Sequence, residues 1–360
     1  MAVYTSDASG DFKVGNKEYY SNVIKDISPT TTPLFNMIAE EMVDSVSLEF
    51  YSADLATPDG SNDQASAQGA SPTAVDENRI LMVNRTQIFM KSVDVSDTQE
   101  VQKKVGISSE LDWKGGRMLA HLKQNYEARC LTGVHYRSPK TNATASLMMG
   151  MAGFIARWSS PCNGGTSYGT LNTTNVNILI ENFNNSGSLG AMDNFEEVNQ
   201  KLWDLGGEPT VCIMSSRNKR YVSKWDSSGV TRNISDPRKV IQNVEFLEGD
   251  FNLVKMVPHR SLGAYSDNGT DSYDGVTGEC VKDFAFLFDP SNWRRLTLKG
   301  YNWQSEDLAR TGLKTERMYK FQGSLKCFNP GGSCVWDYAG WASHSNVLGL
   351  YGTAASYDLT

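Results

Sequence analysis

The sequence predicts an α+β protein. Strand-like segments come first, one long helix follows, a mixed region of helices and strands comes next, and strands return towards the C-terminus. Strands and helices that are segregated along a chain in this way are typical of α+β folds, whereas regular alternation is typical of α/β folds. No internal repeat period is visible, so a solenoid or propeller is not expected.

Composition indicates a folded and soluble chain. Of its 360 residues 39% are hydrophobic, which is enough for a sizeable core in one or two domains. The net charge of −7 argues against a protein whose main task is to grip nucleic-acid phosphates. Because the chain has no signal-like start and no run of 18 apolar residues, we expect it to be neither exported nor membrane-bound. Its six scattered cysteines are expected to be reduced thiols.

The first hundred residues predict an arm and a hairpin. Residues 1–26 show no strong period, and a short helix that includes Met42 is expected to open after Pro33. Residues 46–51 and 80–95 have strand character, while residues 52–78 contain almost no large apolar side chain. Two strands joined by a long polar excursion predict a projecting hairpin, whose tip is either disordered or in contact with a partner.

A long amphipathic helix is predicted at 108–131. Ser108 or Ser109 can cap its start, and Gly133 offers a stop. Apolar side chains recur at helical spacing and predict one buried face: Leu111, Met118, Leu122, Tyr126 and Cys130. The charged side chains are expected on the solvent side: Glu110, Lys114, Arg117, Lys123, Glu127 and Arg129.

The second half of the chain mixes helices and strands. A helix is expected from Asn194, which can act as its N-cap, to the glycines at 206–207, and a basic helix at 217–225. Strands are predicted at 210–214, 240–246, 251–257, 284–288, 293–298 and 315–328. Residues 159–190 look like a polar surface insertion, and 329–360 form a tail rich in glycine and aromatic residues.

No pattern in the chain predicts catalysis. The four histidines have no metal-binding spacing, and no glycine pair belongs to a phosphate-binding loop. Adjacent carboxylates occur at predicted helix starts, where solvation and the helix dipole explain them. We therefore expect a protein that is not an enzyme and that has no catalytic, cofactor-binding or metal-binding residues.

Several stretches, taken together and in order, resemble the major capsid proteins of tailed bacteriophages. None of them is specific alone, but they follow one another discontinuously between about residues 20 and 328. They are ISPTTTPL at 27–34, NRTQIF at 84–89, VDVSDT at 93–98, LGGEPT at 205–210, MVPHR at 256–260, FLFDPSNW at 286–293, LARTG at 308–312 and KTER at 314–317.

This resemblance implies the Hong Kong 97-like capsid fold and a division of the chain into the parts of that fold. The N-terminal arm would be 1–45, the extended hairpin loop 46–95, and the peripheral domain 96–149 with its spine helix at 108–131. The axial domain would be 150–285 with the polar insertion 159–190, the return strands of the peripheral domain 286–328, and a C-terminal extension 329–360.

The function that the resemblance implies is structural. Pentamers and hexamers of the chain would form an icosahedral shell around double-stranded DNA, which needs only nonspecific proximity to the protein. Such a shell would be assembled in the host bacterial cytoplasm and carried in the virion, with portal, scaffolding and decoration proteins as further partners. Two alternatives remain open: an encapsulin-like compartment, or a polysaccharide-binding or polysaccharide-hydrolysing surface protein suggested by the many aromatic residues.

Three features of the sequence bear on assembly. First, acids of the hairpin loop, namely Asp54, Asp59, Asp63, Asp76 and Glu77, are expected to meet basic groups of an adjacent subunit, namely Arg217, Lys219 and Arg220. Secondly, Gly115 and Gly116 lower helix propensity, so they predict either close backbone packing or a flexible point in the spine helix. Thirdly, residues 26–90 contain no lysine, so a hairpin-loop lysine cannot cross-link subunits, and noncovalent locking is expected.

Overall fold

The computed structural model describes residues 31–53, 68–71, 79–102, 104, 106–133, 136, 145–157, 178–179, 191–204, 206–223, 245–260, 262 and 285–336. The extended part of the predicted arm, most of the polar insertion, the strand segment 240–244 and the tail beyond Trp336 lie outside these residues.

The described residues contain six α-helices, two short 3-10 helices (Pro290–Asn292 and Pro330–Gly332) and thirteen strands. The α-helices are α1 (Pro33–Met37), α2 (Asp97–Val101), α3 (Glu110–Thr132), α4 (Met151–Arg157), α5 (Ala191–Asp204) and α6 (Ser216–Val222). The strands are β1 (Ala39–Val43), β2 (Ser47–Ala53), β3 (Arg79–Arg85), β4 (Gln87–Ser96), β5 (Ile178–Leu179), β6 (Val211–Ser215), β7 (Phe246–Glu248), β8 (Leu253–His259), β9 (Ala285–Phe288), β10 (Trp293–Leu298), β11 (Gln304–Asp307), β12 (Lys314–Cys327) and β13 (Cys334–Trp336).

A six-stranded sheet has the order β5-β13-β9-β6-β8-β7, and its central strands β6 and β9 are buried on both faces. Along β6, Val211 and Ile213 point into one hydrophobic cluster, and Cys212 and Met214 point into a second. Strands in which apolar residues do not alternate with polar ones are expected where both faces of a sheet are covered. Helix α5 packs on the second face through its buried side chains Phe195, Val198 and Leu202.

Two further sheets complete the described structure. Strands β1, β10, β12 and β11 lie side by side, β4 also pairs with β12, and β1 runs parallel to β10. Strands β2 and β3 form an antiparallel pair from Ser47 opposite Arg85 to Ala53 opposite Arg79. Within the predicted loop 46–95, the hairpin is therefore β2 with β3, and β4 belongs to a different sheet.

The described chain divides into two compact units. The smaller unit consists of Met90–His121 and Ser305–Tyr319, and the larger unit contains the remaining described residues. In the part of the chain that the structure describes, both hydrophobic clusters lie wholly within the larger unit.

In the smaller unit, three cations of the β11–β12 segment contact carboxylates. Arg317 contacts Asp112 at 3.0 Å, Lys314 contacts Asp94 at 3.4 Å, and Arg310 contacts Asp97 at 3.2 Å. Exposed pairs of this kind contribute about 0–1 kcal/mol each and weaken as salt is added. These pairs therefore link the β11–β12 segment to β4, α2 and α3 within the smaller unit.

The predicted secondary structure was wrong at two helix boundaries. Helix α1 ends at Met37, and Met42 lies exposed in β1, because residues 39–43 find main-chain partners along β10. Helix α5 begins at Ala191, so Asn194 lies inside the helix and is not its N-cap. In contrast, α3 agrees with its prediction, and the Ser109 hydroxyl accepts a hydrogen bond from the Asp112 N–H at its start.

Two charged residues of α3 were wrongly placed on its solvent side. Glu127 is 2% exposed, and its carboxylate accepts a hydrogen bond from the Phe35 N–H at 2.9 Å and lies 2.5 Å from His259 Nε2. Arg129 is 3% exposed, and its Nε donates to the Met148 carbonyl at 2.9 Å. Burial of these charges is tolerated because each has close hydrogen-bond partners from distant segments.

Among the described residues, no helix combines the length and apolar character needed to cross a membrane.

Candidate assembly surfaces

The base of the β2–β3 hairpin is fixed by buried polar contacts. Asn84 is fully buried at the end of β3. Its Nδ2 donates to the carbonyls of Met149 at 3.0 Å and Leu325 at 2.7 Å, and its Oδ1 accepts from the Met149 N–H at 2.8 Å. One side chain thus ties three segments of the larger unit together. These hydrogen bonds therefore fix the base of the hairpin against the segments that contain Met149 and Leu325.

The next residues along the chain extend this network. The Thr86 hydroxyl accepts from Gln322 Nε2 at 2.8 Å, and Gln87 Oε1 accepts from the Met148 N–H at 3.1 Å. The stretch NRTQIF at 84–89, which contributed to the family resemblance, therefore has a direct physical role. Sequence reasoning missed this role because the partners lie far away along the chain.

The two faces of the hairpin differ. Leu48 and Met82 are buried on one face, whereas Tyr51 and Leu81 stand opposite each other on the other face with 66% and 40% of their surface exposed. Exposed apolar side chains that lie together on a surface contribute to protein–protein contact sites. Among the described residues, β2 and β3 form strand pairs only with each other, so the hairpin presents its strand edges and the exposed Tyr51–Leu81 pair for further contacts.

The charged residues predicted to pair between subunits are only partly described. Asp54, Asp59, Asp63, Asp76 and Glu77 lie outside the described residues, as does the side chain of Arg217. On α6, Arg220 is exposed and Lys219 is half-buried; burial lowers the pKa of Lys219, although Cys212 and Glu245 oppose that shift. The pairing itself stays a prediction.

The two glycines of the spine helix differ in their surroundings. A Cβ on Gly115 would clash with the buried Tyr319, whose hydroxyl is nearest and whose Cζ would be 2.9 Å away. A Cβ on Gly116 would have no atom of the described residues within 4 Å. Close packing therefore explains the first glycine, whereas nothing in the surroundings of Gly116 requires the absence of a side chain.

We expect Gly115→Ala and Gly116→Ala to have opposite effects on stability. Gly116→Ala should raise the local stability of α3 by about 0.5–1 kcal/mol, because alanine favours helix over glycine. Gly115→Ala should lower it by about 1–3 kcal/mol through overpacking. Amide hydrogen exchange at the start of α3 measures both changes, and Tyr319→Phe should partly restore Gly115→Ala. Equal effects at the two positions would contradict this interpretation.

The match to a family model covers most of the chain. Residues 6–338 match the model for the SU10 major capsid protein. The chain belongs to this family. The resemblance inferred from the sequence is thereby confirmed, and membership indicates a structural, non-enzymatic role in a phage capsid.

Two comparisons illustrate how far capsid relatives have diverged from this SU10-family protein. The major capsid protein of Escherichia phage Phieco32 is 28% identical over 119 residues, which span 33% of this chain and 34% of the relative. The match therefore covers about a third of that relative's length. The mature capsid of bacteriophage PhiM1 has a TM-score of 0.56 at 10% identity, with 92% of this chain and 94% of that chain covered.

A third comparison is with a different kind of shell. The holo-SrpI encapsulin complex from Synechococcus elongatus has a TM-score of 0.51 at 9% identity, with 90% of this chain and 92% of that chain covered. At these identities the structural comparisons establish the fold alone. They confirm the α+β, Hong Kong 97-like class predicted from the sequence.

Proposed function

We propose that this SU10-family protein self-assembles, as pentamers and hexamers, into the icosahedral shell of a tailed phage head and encloses its double-stranded DNA. The observation that carries the proposal is the family match across residues 6–338. A closed shell needs self-complementary surfaces on one chain repeated many times. The hairpin suits this role because its base is fixed by Asn84 while its outer face, with Tyr51 and Leu81, is exposed.

The proposed division of labour follows the parts of the Hong Kong 97-like fold. The arm (1–45) and hairpin loop (46–95) would reach neighbouring subunits, and the peripheral segments (96–149 and 286–328) and the axial domain (150–285) would form the body. Acids of the hairpin loop would meet basic groups of an adjacent copy, for which α6 is the candidate. Portal, scaffolding and decoration proteins would be further partners, and assembly would take place in the host cytoplasm.

The experiment that tests the proposal is negative-stain electron microscopy of the purified chain, expressed alone and with the scaffolding protein of its own phage, with light scattering alongside. We expect closed shells, or rings of five and six subunits. A strictly monomeric protein under both conditions would refute the proposal.

We expect the shell to be locked without covalent bonds between subunits. The observation behind this is the absence of lysine from residues 26–90, which include the β2–β3 hairpin and leave it without the nucleophile needed for an amide cross-link. Particles boiled in denaturant under reducing conditions should give a single band at 39.8 kDa on a gel. A ladder of larger bands would show that this expectation is wrong.

An encapsulin-like compartment is the second candidate, favoured by the fold likeness to the holo-SrpI encapsulin complex. The contents of particles from infected cells separate the two functions. Nuclease-protected DNA of defined length supports a phage head, whereas a single co-purifying enzyme supports a compartment. Membership of a capsid family leaves no observation in favour of the polysaccharide-binding reading.

A further inference from the structure

One end of the six-stranded sheet combines exposed aromatic and acidic side chains. Strands β6 and β8 are parallel and both begin at this end, where α5 finishes and β7 turns into β8. The rings of Trp203 and Phe251 lie 5.8 Å apart, and these residues and Leu253 are 51%, 38% and 53% exposed. The exposed acids around them are Asp204, Glu208, Glu248 and Asp250. We call these seven residues the acidic end.

Other charged groups lie close to this end. Glu196 lies against the backbone of Gly249 in the β7–β8 turn and adds a further negative charge. The cations are Lys201, which contacts Glu197 at 2.7 Å, and Lys255, whose Nζ lies 5.8 Å from the centre of the Phe246 ring. The balance of charge at the acidic end is therefore negative.

The opposite end of the same sheet carries cations. Helix α6 follows β6 there, and Arg260 follows β8. Arg220 and Arg260 are exposed. Lys219 is half-buried, and the negative charge of Glu245 opposes the lowering of its pKa by burial. We call Lys219, Arg220 and Arg260 the basic end. A sheet whose parallel strands begin among acids and end among cations has two different and complementary surfaces.

We propose that the acidic end of one copy binds the basic end of a second copy of this chain. Contact between two different surfaces is heterologous, and such contacts close into a ring when the rotation between copies is suitable. Aromatic side chains inside a charged rim are also the usual composition of protein interfaces, with the aromatic groups supplying most of the binding energy. The inference rests on the proposed function, since it specifies the contact that would join subunits within a ring.

This assignment competes with the pairing of hairpin-loop acids and α6. Both use Lys219 and Arg220, but they name different acids. The acidic end has the stronger physical case, because its aromatic residues supply an apolar centre as well as charge. Reversing the charge of each acidic set separately therefore distinguishes the two contacts.

The test is a charge exchange between the two ends. Glu248→Lys with Asp250→Lys, and separately Arg220→Glu with Arg260→Glu, should each raise the protein concentration needed for assembly at least about tenfold at 0.1 M salt, because like charges then face each other. All four changes in one chain should restore assembly to within about threefold of the original chain, since complementarity returns. Glu306→Lys, at an exposed site on β11 of the other sheet, is the matched control and should have little effect.

Two further variants keep the test decisive. Trp203→Ser removes an exposed aromatic group without a change of charge and should weaken assembly while leaving the thermal midpoint unchanged. Asp59→Lys with Asp63→Lys alters only the hairpin loop and should assemble normally if α6 meets the acidic end instead of the hairpin-loop acids. Loss of assembly in this loop variant together with normal assembly of the Glu248 and Asp250 variant would overturn the inference. So would failure of the four-change variant, if it is folded, to recover.

Failure of this inference is distinguishable from failure of the proposed function. If the original chain forms shells and the acidic-end variants form them equally well, the shell function stands and this contact is wrong. If the original chain stays monomeric with and without its scaffolding protein, the function itself is refuted, and the inference falls with it.

Discussion

Asn84→Ala should lower the free energy of unfolding of the larger unit by about 2–4 kcal/mol and prevent normal shell assembly. The side-chain amide of the buried Asn84 satisfies two carbonyls and two N–H groups, and alanine would leave all four without that partner. Each buried polar group deprived of its hydrogen bond costs about 1–3 kcal/mol. Urea unfolding followed by circular dichroism measures the loss.

The matched control lies on the same hairpin. Tyr51→Ser changes an exposed side chain, so it should leave the free energy of unfolding within about 0.5 kcal/mol of the original value. It should nevertheless weaken assembly if the outer face of the hairpin contacts a neighbour. An Asn84→Ala protein as stable as the original would show that the network does not fix the hairpin base.

Replacement of Glu127 by leucine should destabilise the larger unit to a similar degree, by about 2–4 kcal/mol. The buried carboxylate lies between the Phe35 N–H and His259, and leucine cannot accept either hydrogen bond. The amide N–H of Phe35 belongs to α1, which has no side-chain cap of its own, so Glu127 acts as the acceptor at the start of this helix. Loss of that acceptor should also weaken the attachment of α1 to α3.

Two comparisons isolate the role of this carboxylate. Glu127→Gln keeps one carbonyl oxygen and should lose only part of the stability. Glu197→Gln alters an exposed glutamate that contacts Lys201 at 2.7 Å, and it should change the unfolding free energy by less than about 1 kcal/mol. Urea titrations of the three variants, with limited proteolysis near residues 31–38, measure both effects. Equal losses for Glu127→Leu and Glu197→Gln would contradict the structural role of Glu127.

The sequence was most informative where local periodicity decides the structure. The 3.6-residue pattern of α3 and the continuous apolar run of β6 both predicted the element that forms, since each pattern directly reflects which faces are buried. Helix α1 was predicted too long because the competing strand β1 depends on β10, which lies more than 200 residues further along the chain. A partner at that distance leaves no local signal.

The buried polar contacts and the candidate assembly surfaces were also hard to predict, because their partners lie far away along the chain or in another copy. Glu127 has the charge of a solvent-facing helix residue, and only Phe35 and His259, which are 92 and 132 residues away, explain its burial. Gly115 was predicted to be either packed or flexible, and the decision between these depends on Tyr319 from the other end of the chain. The predicted acid–base contact between subunits depends on geometry between copies, which no single chain contains.

Because both hydrophobic clusters lie in the larger unit, local unfolding should begin in the smaller unit. Local opening needs least free energy where few apolar contacts are lost, so amides of the smaller unit should exchange with solvent through partial openings. The enthalpy of thermal unfolding measured by calorimetry would then come almost entirely from the larger unit. The first turns of the spine helix, although continuous with a buried helix, would respond to salt and to neighbouring subunits while the rest of the chain stays closed.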